Sequence, residues 1–195
     1  MPHERDELAI AALSVLVRER LFAFAEGAVS YVDMLADVLP VVVHEGSRVL
    51  DAAVLESIDV FTGDLTVRGI LDAKSMPGNY GAMLIVLGDL RARSIVWDGG
   101  PMFVAGNLLI DDVGFFRSDG FGLFVGGDLC VDVFVEEDGG VDVKGEQRCR
   151  VAYRRGQDAS ALFSDAYTYD VGGWRAPDVA PMLDAIRAGV SIEKI

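Results

Sequence analysis

Histidine and cysteine are scarce in this chain of 195 residues, and their scarcity limits the chemistry that it can perform. The two histidines are His3 and His44, and the two cysteines are Cys130 and Cys149. A zinc site needs a cluster of such ligands, and a serine or cysteine nucleophile needs a histidine base beside it. We therefore expect no metal site, no cofactor and no catalytic residues, and we expect free thiols rather than a disulfide.

Phosphate-binding motifs are also missing. The segment 120–126, Gly-Phe-Gly-Leu-Phe-Val-Gly, resembles a dinucleotide fingerprint, but its glycine spacing is off by one residue and no helical pattern follows it. A Gly-Lys-Ser/Thr element does not occur in the sequence. We interpret the glycine-rich segment as a corner of a repeating structure rather than a nucleotide site.

Basic residues are few, and no long apolar run is present. The chain has 17 lysines and arginines against 31 aspartates and glutamates, which gives a net charge of −14. Nucleic acid and anionic membrane surfaces repel such a protein, so the charge favours a basic protein as partner. Arg18-Glu19-Arg20 interrupts the apolar stretch near the N-terminus, which argues against a signal peptide or membrane span and predicts a cytoplasmic protein.

A glycine repeat is the dominant feature of the sequence. Its unit is seen in Leu84–Leu90, Leu-Ile-Val-Leu-Gly-Asp-Leu, and related units return at spacings of 25, 18, 21 and 18 residues. Short apolar runs of β type flank each glycine, which is typical of a solenoid in which each coil is one repeat. The repeat glycines are Gly63, Gly88, Gly106, Gly127 and Gly145.

Alternation within each repeat predicts how a coil is built. Residues two and four positions from each glycine are mostly apolar, as in Leu84, Val86 and Leu90. The same alignment predicts that Cys130 points outward and Cys149 inward. We therefore predict two strands per coil, joined at a Gly-Asp bend where glycine takes positive φ and aspartate bonds its own backbone. The predicted fold class is all-β with flanking helices, with a right-handed, single-stranded parallel β-helix over residues 41–158.

Helical spacing of apolar residues occurs at both ends of the chain. It predicts helices over residues 7–26 and 31–39, and a C-terminal helix over Val179–Ala188. We expect these helices to pack on the β-helix within a single domain. The flanking parts are an N-terminal helical segment at 1–40, a loop between coils at 73–82, and a tail at 159–195.

An apolar stripe lies three residues before four of the glycines, where alternation turns side chains outward. An exposed ladder of this kind needs an explanation. One interpretation is that the N-terminal helices cover it, and the other is that part of it binds a partner. The stripe consists of Val60, Ile85, Phe103 and Phe124.

Six carboxylates form the densest outward acidic group of the repeats. They are candidate contacts for a basic partner, and they could also act as paired acid and base carboxylates in glycan cleavage. About five coils at ~4.8 Å each give a stack of only roughly 25 Å, which is short for a cleft that binds several sugars. The run 136–138 is also expected in a solvated turn. The six residues are Asp111, Asp112, Asp132, Glu136, Glu137 and Asp138.

The repeat unit, in Val86–Leu90 and in Val125–Leu129, resembles the repeats of bactofilin-type polymer-forming β-helix proteins. It also resembles β-solenoid immunity proteins of bacterial polymorphic toxin systems. The resemblance covers about residues 58–147. Bactofilins stack bare coil ends into filaments, whereas this chain departs from them in having predicted helices at both termini.

The resemblance and the charge together lead to one expected function and two alternatives. We expect a non-enzymatic protein-binding β-solenoid, an immunity protein (antitoxin) that neutralises a basic bacterial toxin domain, and a monomer or small homo-oligomer. The first alternative is a bactofilin-like structural protein that polymerises end to end. The second alternative is a small β-helix carbohydrate-active enzyme.

Removal of residues 1–26 should test the covering of the apolar stripe. If the N-terminal helix lies on the stripe, its loss exposes several apolar side chains at once, each worth about 1.5–3 kcal/mol when fully buried. The truncated protein should then aggregate or bind a hydrophobic dye, and Phe103→Asp should behave similarly. Soluble, thermally unchanged variants that lose a protein partner would show instead that the stripe is an interface.

Overall fold

The computed structural model describes residues 41–73, 81–171 and 174–193. Over this part the chain is mainly parallel β-sheet, wound into a solenoid of about six turns. The β-solenoid expected from the glycine repeat is therefore confirmed. The predicted N-terminal helices, and all but the ends of the predicted loop at 73–82, lie outside the described residues.

Eleven strands form the solenoid, and each pairs in parallel with the strand one turn further on. The long strands β5, β7, β9, β10 and β11 bend and contribute to more than one face. The strands are β1 Val41–His44, β2 Arg48–Leu50, β3 Ala53–Leu55, β4 Ile58–Phe61, β5 Leu65–Ala73, β6 Met83–Val86, β7 Leu90–Asp98, β8 Met102–Val104, β9 Leu108–Val125, β10 Leu129–Val143 and β11 Gln147–Arg154.

Each coil has three sides, so the prediction of two strands per coil is wrong. Face 1 contains β1, β4, β6, β8 and the last residues of β9 and β10. Face 2 contains β2 and the first residues of the long strands, and face 3 contains β3 and their later residues. The corner between faces 2 and 3 is only a register shift, as between Val67 and Ile70. Gly69 lies in this corner in one coil, but Arg93, Asp111 and Asp132 occupy it in the others, so no repeated turn residue marked it in the sequence.

The core is narrow and is filled by ladders of like residues. Leu65, Leu90, Leu108 and Leu129 occupy successive rungs of face 2, and each is at most 1% exposed. Trp97 and other aromatic side chains fill face 3 from inside. Because each fully buried leucine contributes about 1.5–3 kcal/mol, the repeated leucine supplies much of the hydrophobic stabilisation.

Close stacking of coils, and not positive φ, explains the repeat glycines. The described glycines with positive φ are Gly46, Gly139, Gly156 and Gly189, and none of these is a repeat glycine. A β-carbon on Gly106 would instead lie 2.8 Å from the carbonyl oxygen of Gly88 on the preceding coil. The prediction that the repeat glycines take positive φ is therefore wrong. Glycine is needed at this corner because a side chain would collide with the neighbouring coil.

The Asp or Asn residue after each of the first four repeat glycines bonds the next coil rather than its own backbone. The Oδ1 atom of Asp64 accepts from the Asp89 amide at 2.9 Å, and that of Asp89 accepts from the Asn107 amide at 2.7 Å. Asn107 and Asp128 repeat the contact toward the following coils, each at 2.9 Å. The side chains thus form a continuous hydrogen-bonded ladder along this corner.

The segment after β11 covers the outer side of face 3. Val96, Phe115 and Val135 on face 3 pack against Phe163 and Ile186, and Arg187 donates two bonds to Asp72 at 2.9 and 3.1 Å. This segment contains 3₁₀ turns at Ala159–Ala161 and Asp165–Tyr167, an antiparallel hairpin of β12 Thr168–Val171 and β13 Trp174–Pro177, and one short helix, α1, at Val179–Arg187.

Gly106→Ala should destabilise the solenoid by about 1–3 kcal/mol, the usual cost of overpacking a close contact. The matched control is Gly140→Ala, because a β-carbon at Gly140 would meet no atom within 4 Å. Urea unfolding of the two variants provides the measurement. Equal losses of stability in both variants would contradict the close-stacking explanation.

Candidate protein-binding face

The outer sides of the three faces differ sharply in exposure. On face 1, Val60 and Phe103 are 1% and 0% exposed, and on face 3 the outer residues from Val96 onward are buried beneath the C-terminal segment. On face 2, the Arg91 and Asp111 side chains are 57% and 52% exposed. Face 2 therefore presents its outer side to solvent, and we call this side the open face.

The apolar stripe predicted from the sequence lies on the outer side of face 1. Val60, Ile85, Phe103 and Phe124 occupy successive rungs there, as expected, and the Phe103 and Phe124 rings stack at 4.8 Å. The N-terminal segment that was predicted to cover them lies outside the described residues. Its role stays a prediction.

The open face has three columns of side chains that run along the solenoid. The corner column is acidic, the middle column mixes apolar and basic residues, and the third column mixes both charges. The corner column is Ser47, Asp64, Asp89, Asn107, Asp128 and Glu146; the middle column is Val49, Thr66, Arg91, Leu109, Cys130 and Arg148; the third column is Asp51, Arg68, Arg93, Asp111, Asp132 and Arg150.

A shallow depression of about 440 Å³ lies in the open face between its middle and third columns. Leu109 and Cys130 form its apolar floor, and Arg91, Arg148 and Asp132 lie at its rim. Both cysteines are free thiols, with Cys130 directed outward and Cys149 inward, as the sequence predicted. An apolar floor with a charged rim is the usual composition of a protein-binding patch.

Arginines neutralise the predicted acidic residues of the open face. Asp111 accepts from Arg91 at 2.9 and 3.2 Å, and Asp132 accepts from Arg150 at 2.7 Å on each oxygen. The bonds from Arg150 lower the pKa of Asp132. These two aspartates line the same depression, so the structure does bring them together, but as ion pairs rather than free acids.

The other four predicted acidic residues lie elsewhere. Asp112 accepts a long bond of 3.4 Å from Ser94 beside helix α1. Glu136, Glu137 and Asp138 lie at the far end of face 3, where β10 shifts register and bends toward face 1. The run is therefore at a bend between faces, as expected, but it is half-buried within a strand rather than in a solvated loop. The six predicted residues are therefore not one acidic surface, because the bend between faces 2 and 3 separates them.

Two of these carboxylates are held in an unfavourable environment. Burial raises the pKa of both Glu136 and Glu137, although Arg154 opposes the shift at the first and Arg155 at the second. Glu136 Oε2 and Glu137 Oε1 are buried and, within the described part of the chain, have no hydrogen-bond partner. Keeping either carboxylate ionised therefore costs more free energy than it would in solvent.

The acidic corner column was not among the partner-binding residues predicted from the sequence, although the repeated Gly-Asp pair indicated where it lies. Asp64 and Asp89 are exposed, and among residues 41–73, 81–171 and 174–193 neither takes part in an ion pair. Each uses Oδ1 in the corner ladder. Their charges make this edge of the open face electronegative.

The described part of the chain contains no group of three or more His, Cys, Asp and Glu residues placed to hold a metal ion. Nor does it contain a helix with the length and hydropathy of a membrane span. Searches against protein-family models, curated proteins and solved structures found no match to this chain. Its function is therefore inferred from geometry.

Glu137→Gln should stabilise the protein at neutral pH. The raised pKa means that the folded state binds protons more tightly than the unfolded state, so stability from this group is gained as pH falls and lost as pH rises. The gain from the substitution should be about 1 kcal/mol at pH 7 and should vanish below about pH 4, where glutamate is protonated in both states. Unfolding at both pH values, with the exposed Glu45→Gln as control, tests this, and destabilisation at pH 7 would contradict it.

Proposed function

We propose that this chain is a non-catalytic protein-binding β-solenoid, and that it is an immunity protein (antitoxin) that neutralises a basic toxin domain. One observation carries the proposal: the open face is exposed, whereas outer residues of the middle coils such as Val60 and Phe103 on face 1, and Val96 and Phe115 on face 3, are buried. Among the described residues, the open face is therefore the surface available to a large partner.

The open face has the physical properties that binding requires. Its columns are fixed on a parallel ladder whose corner is bonded from coil to coil, so little conformational entropy is lost when a partner binds. Six rungs at ~4.8 Å give a length of roughly 25 Å, which suits part of a standard interface of about 800 Å² per partner.

Charge supports a basic partner. The chain carries a net charge of −14, and the exposed Asp64 and Asp89 lie along one edge of the open face. Complementary charge at the edge of an interface increases the association rate and orients the partner. The ion pairs Arg91–Asp111 and Arg150–Asp132 favour specificity within the patch, because a partner must match both signs.

Glycan cleavage, the enzymatic alternative, receives less support from the geometry. A cleaving pair needs one carboxyl with a raised pKa as general acid. Asp132 has a lowered pKa because Arg150 binds both of its oxygens, and Asp111 is paired with Arg91. Glu136 has the raised pKa but lies at the other end of face 3.

The proposal is tested with two charge-matched double variants. Leu109→Lys/Asp111→Lys alters the centre of the open face, and Ala161→Lys/Asp165→Lys makes the same change in charge on the exposed C-terminal segment. A partner captured from lysate of the source cells is identified, purified and titrated against both variants. We expect a basic protein whose Kd rises at least about 100-fold with the first variant, since central contacts dominate interfaces, and stays unchanged with the second.

Three outcomes would contradict the proposal. The first is a purified partner that binds the Leu109→Lys/Asp111→Lys variant as tightly as the unaltered chain. The second is the absence of any basic partner together with a chromosomal neighbourhood that lacks a toxin-like reading frame. The third is a partner whose Kd does not change with salt concentration, because attraction between opposite charges is screened by salt.

A further inference from the structure

The last coil of the solenoid breaks the apolar pattern of the core. On face 2, the inner row that contains Leu129 continues to Gln147. On face 3, the inner row that contains Phe116 continues to Glu136 and then to Arg154. Polar side chains therefore replace leucine and phenylalanine where the core reaches its C-terminal end.

These inward polar residues are bonded to one another across the coil. Arg154 Nη2 donates to Gln147 Oε1 at 3.2 Å, which joins face 3 to face 2, and Gln147 Nε2 donates to Cys149 Sγ at 3.7 Å. Arg154 Nε lies 3.5 Å from Glu136 Oε2, and the Arg154 amide donates to Gln157 Oε1 at 2.9 Å. The result is a polar layer that crosses the end of the core.

The layer faces solvent. Gln147 and Arg154 are exposed although their side chains occupy inner rows, and the Arg154 side chain is 54% exposed. A second coil stacked on this end would have to bury the Arg154 guanidinium against an inner row, with loss of its hydration. Exposed strand edges otherwise template the addition of further strands, and terminal repeats of solenoids are polar for this reason.

The first coil shows a related arrangement. Asp59 occupies an inner row between Val42 and Leu84 and is buried. His44 Nε2 lies 2.9 Å from Asp59 Oδ1, and Ser57 donates to Asp59 Oδ2 at 2.7 Å. Inward carboxylates therefore occur near both ends of the described solenoid, while the middle of its core is apolar.

We infer that the last coil is a built polar cap that prevents a second copy of this chain from stacking on the C-terminal end. The inference goes beyond partner binding by the open face and does not depend on it. It explains how a repeat that resembles those of filament-forming proteins remains a closed unit at this end.

The test restores the apolar rows of the last coil. In the variant Glu136→Leu/Gln147→Leu/Cys149→Val/Arg154→Leu, each inner row ends in an apolar residue, as it does in the middle coils. Light scattering coupled to size-exclusion chromatography should show a shift to at least twice the mass of the unaltered protein. The control is Arg148→Leu/Arg155→Leu, which adds apolar surface to the outer side of the same coil and should cause no shift.

Two further variants keep the test decisive. Gln147→Leu/Cys149→Val retains the Arg154–Glu136 pair and should keep the mass of the unaltered protein. If the four-substitution variant does not fold, as judged by circular dichroism, Glu136→Leu/Arg154→Leu is compared by the same criterion. A folded variant whose mass does not change, or an equal shift in the outer-surface control, would overturn the inference.

Discussion

The solenoid depends on one repeated interaction, the bond from a corner Asp or Asn side chain to the backbone amide of the next coil. This bond works only if the coils lie close together, and the absence of a side chain at the preceding glycine permits that approach. Glycine and aspartate therefore act together: glycine allows adjacent coils to approach closely, and aspartate hydrogen-bonds one coil to the next. The inner leucine ladder of face 2 begins one residue after this corner.

Because the register is fixed, equivalent positions of the repeat form rows along the solenoid, and the three faces have different surfaces. Residues of one row lie on one face, so a row of valine and phenylalanine becomes an apolar surface and a row of Asp and Arg forms ion pairs between coils. The outer side of face 3 is covered by the chain's own C-terminal segment. The open face keeps its charges and its shallow apolar depression in water, which is why the proposed partner is placed there.

Charged side chains differ in partners and burial according to their face and their coil. On the open face most carboxylates of the third column have arginine partners, which leaves the corner column as the electronegative edge. Near the C-terminal end two charges point inward: Glu136 loses solvation, and Arg154 on the next coil partly compensates for it. The cost of that burial is consistent with a role at the end of the stack, because a residue that only stabilised the fold would be apolar there.

The sequence by itself determined the repeat, its parallel β-solenoid fold and the inward or outward side of each cysteine, because glycine spacing and alternation are local properties. It did not reveal the third face, since the bend between faces 2 and 3 is a register shift at which no turn residue repeats from coil to coil. Nor could it pair Asp111 with Arg91 or Asp132 with Arg150, residues 18 to 20 positions apart. Only stacking of coils brings such residues within bonding distance, and so the tertiary structure alone decided which carboxylates are neutralised, which are buried and which face remains open.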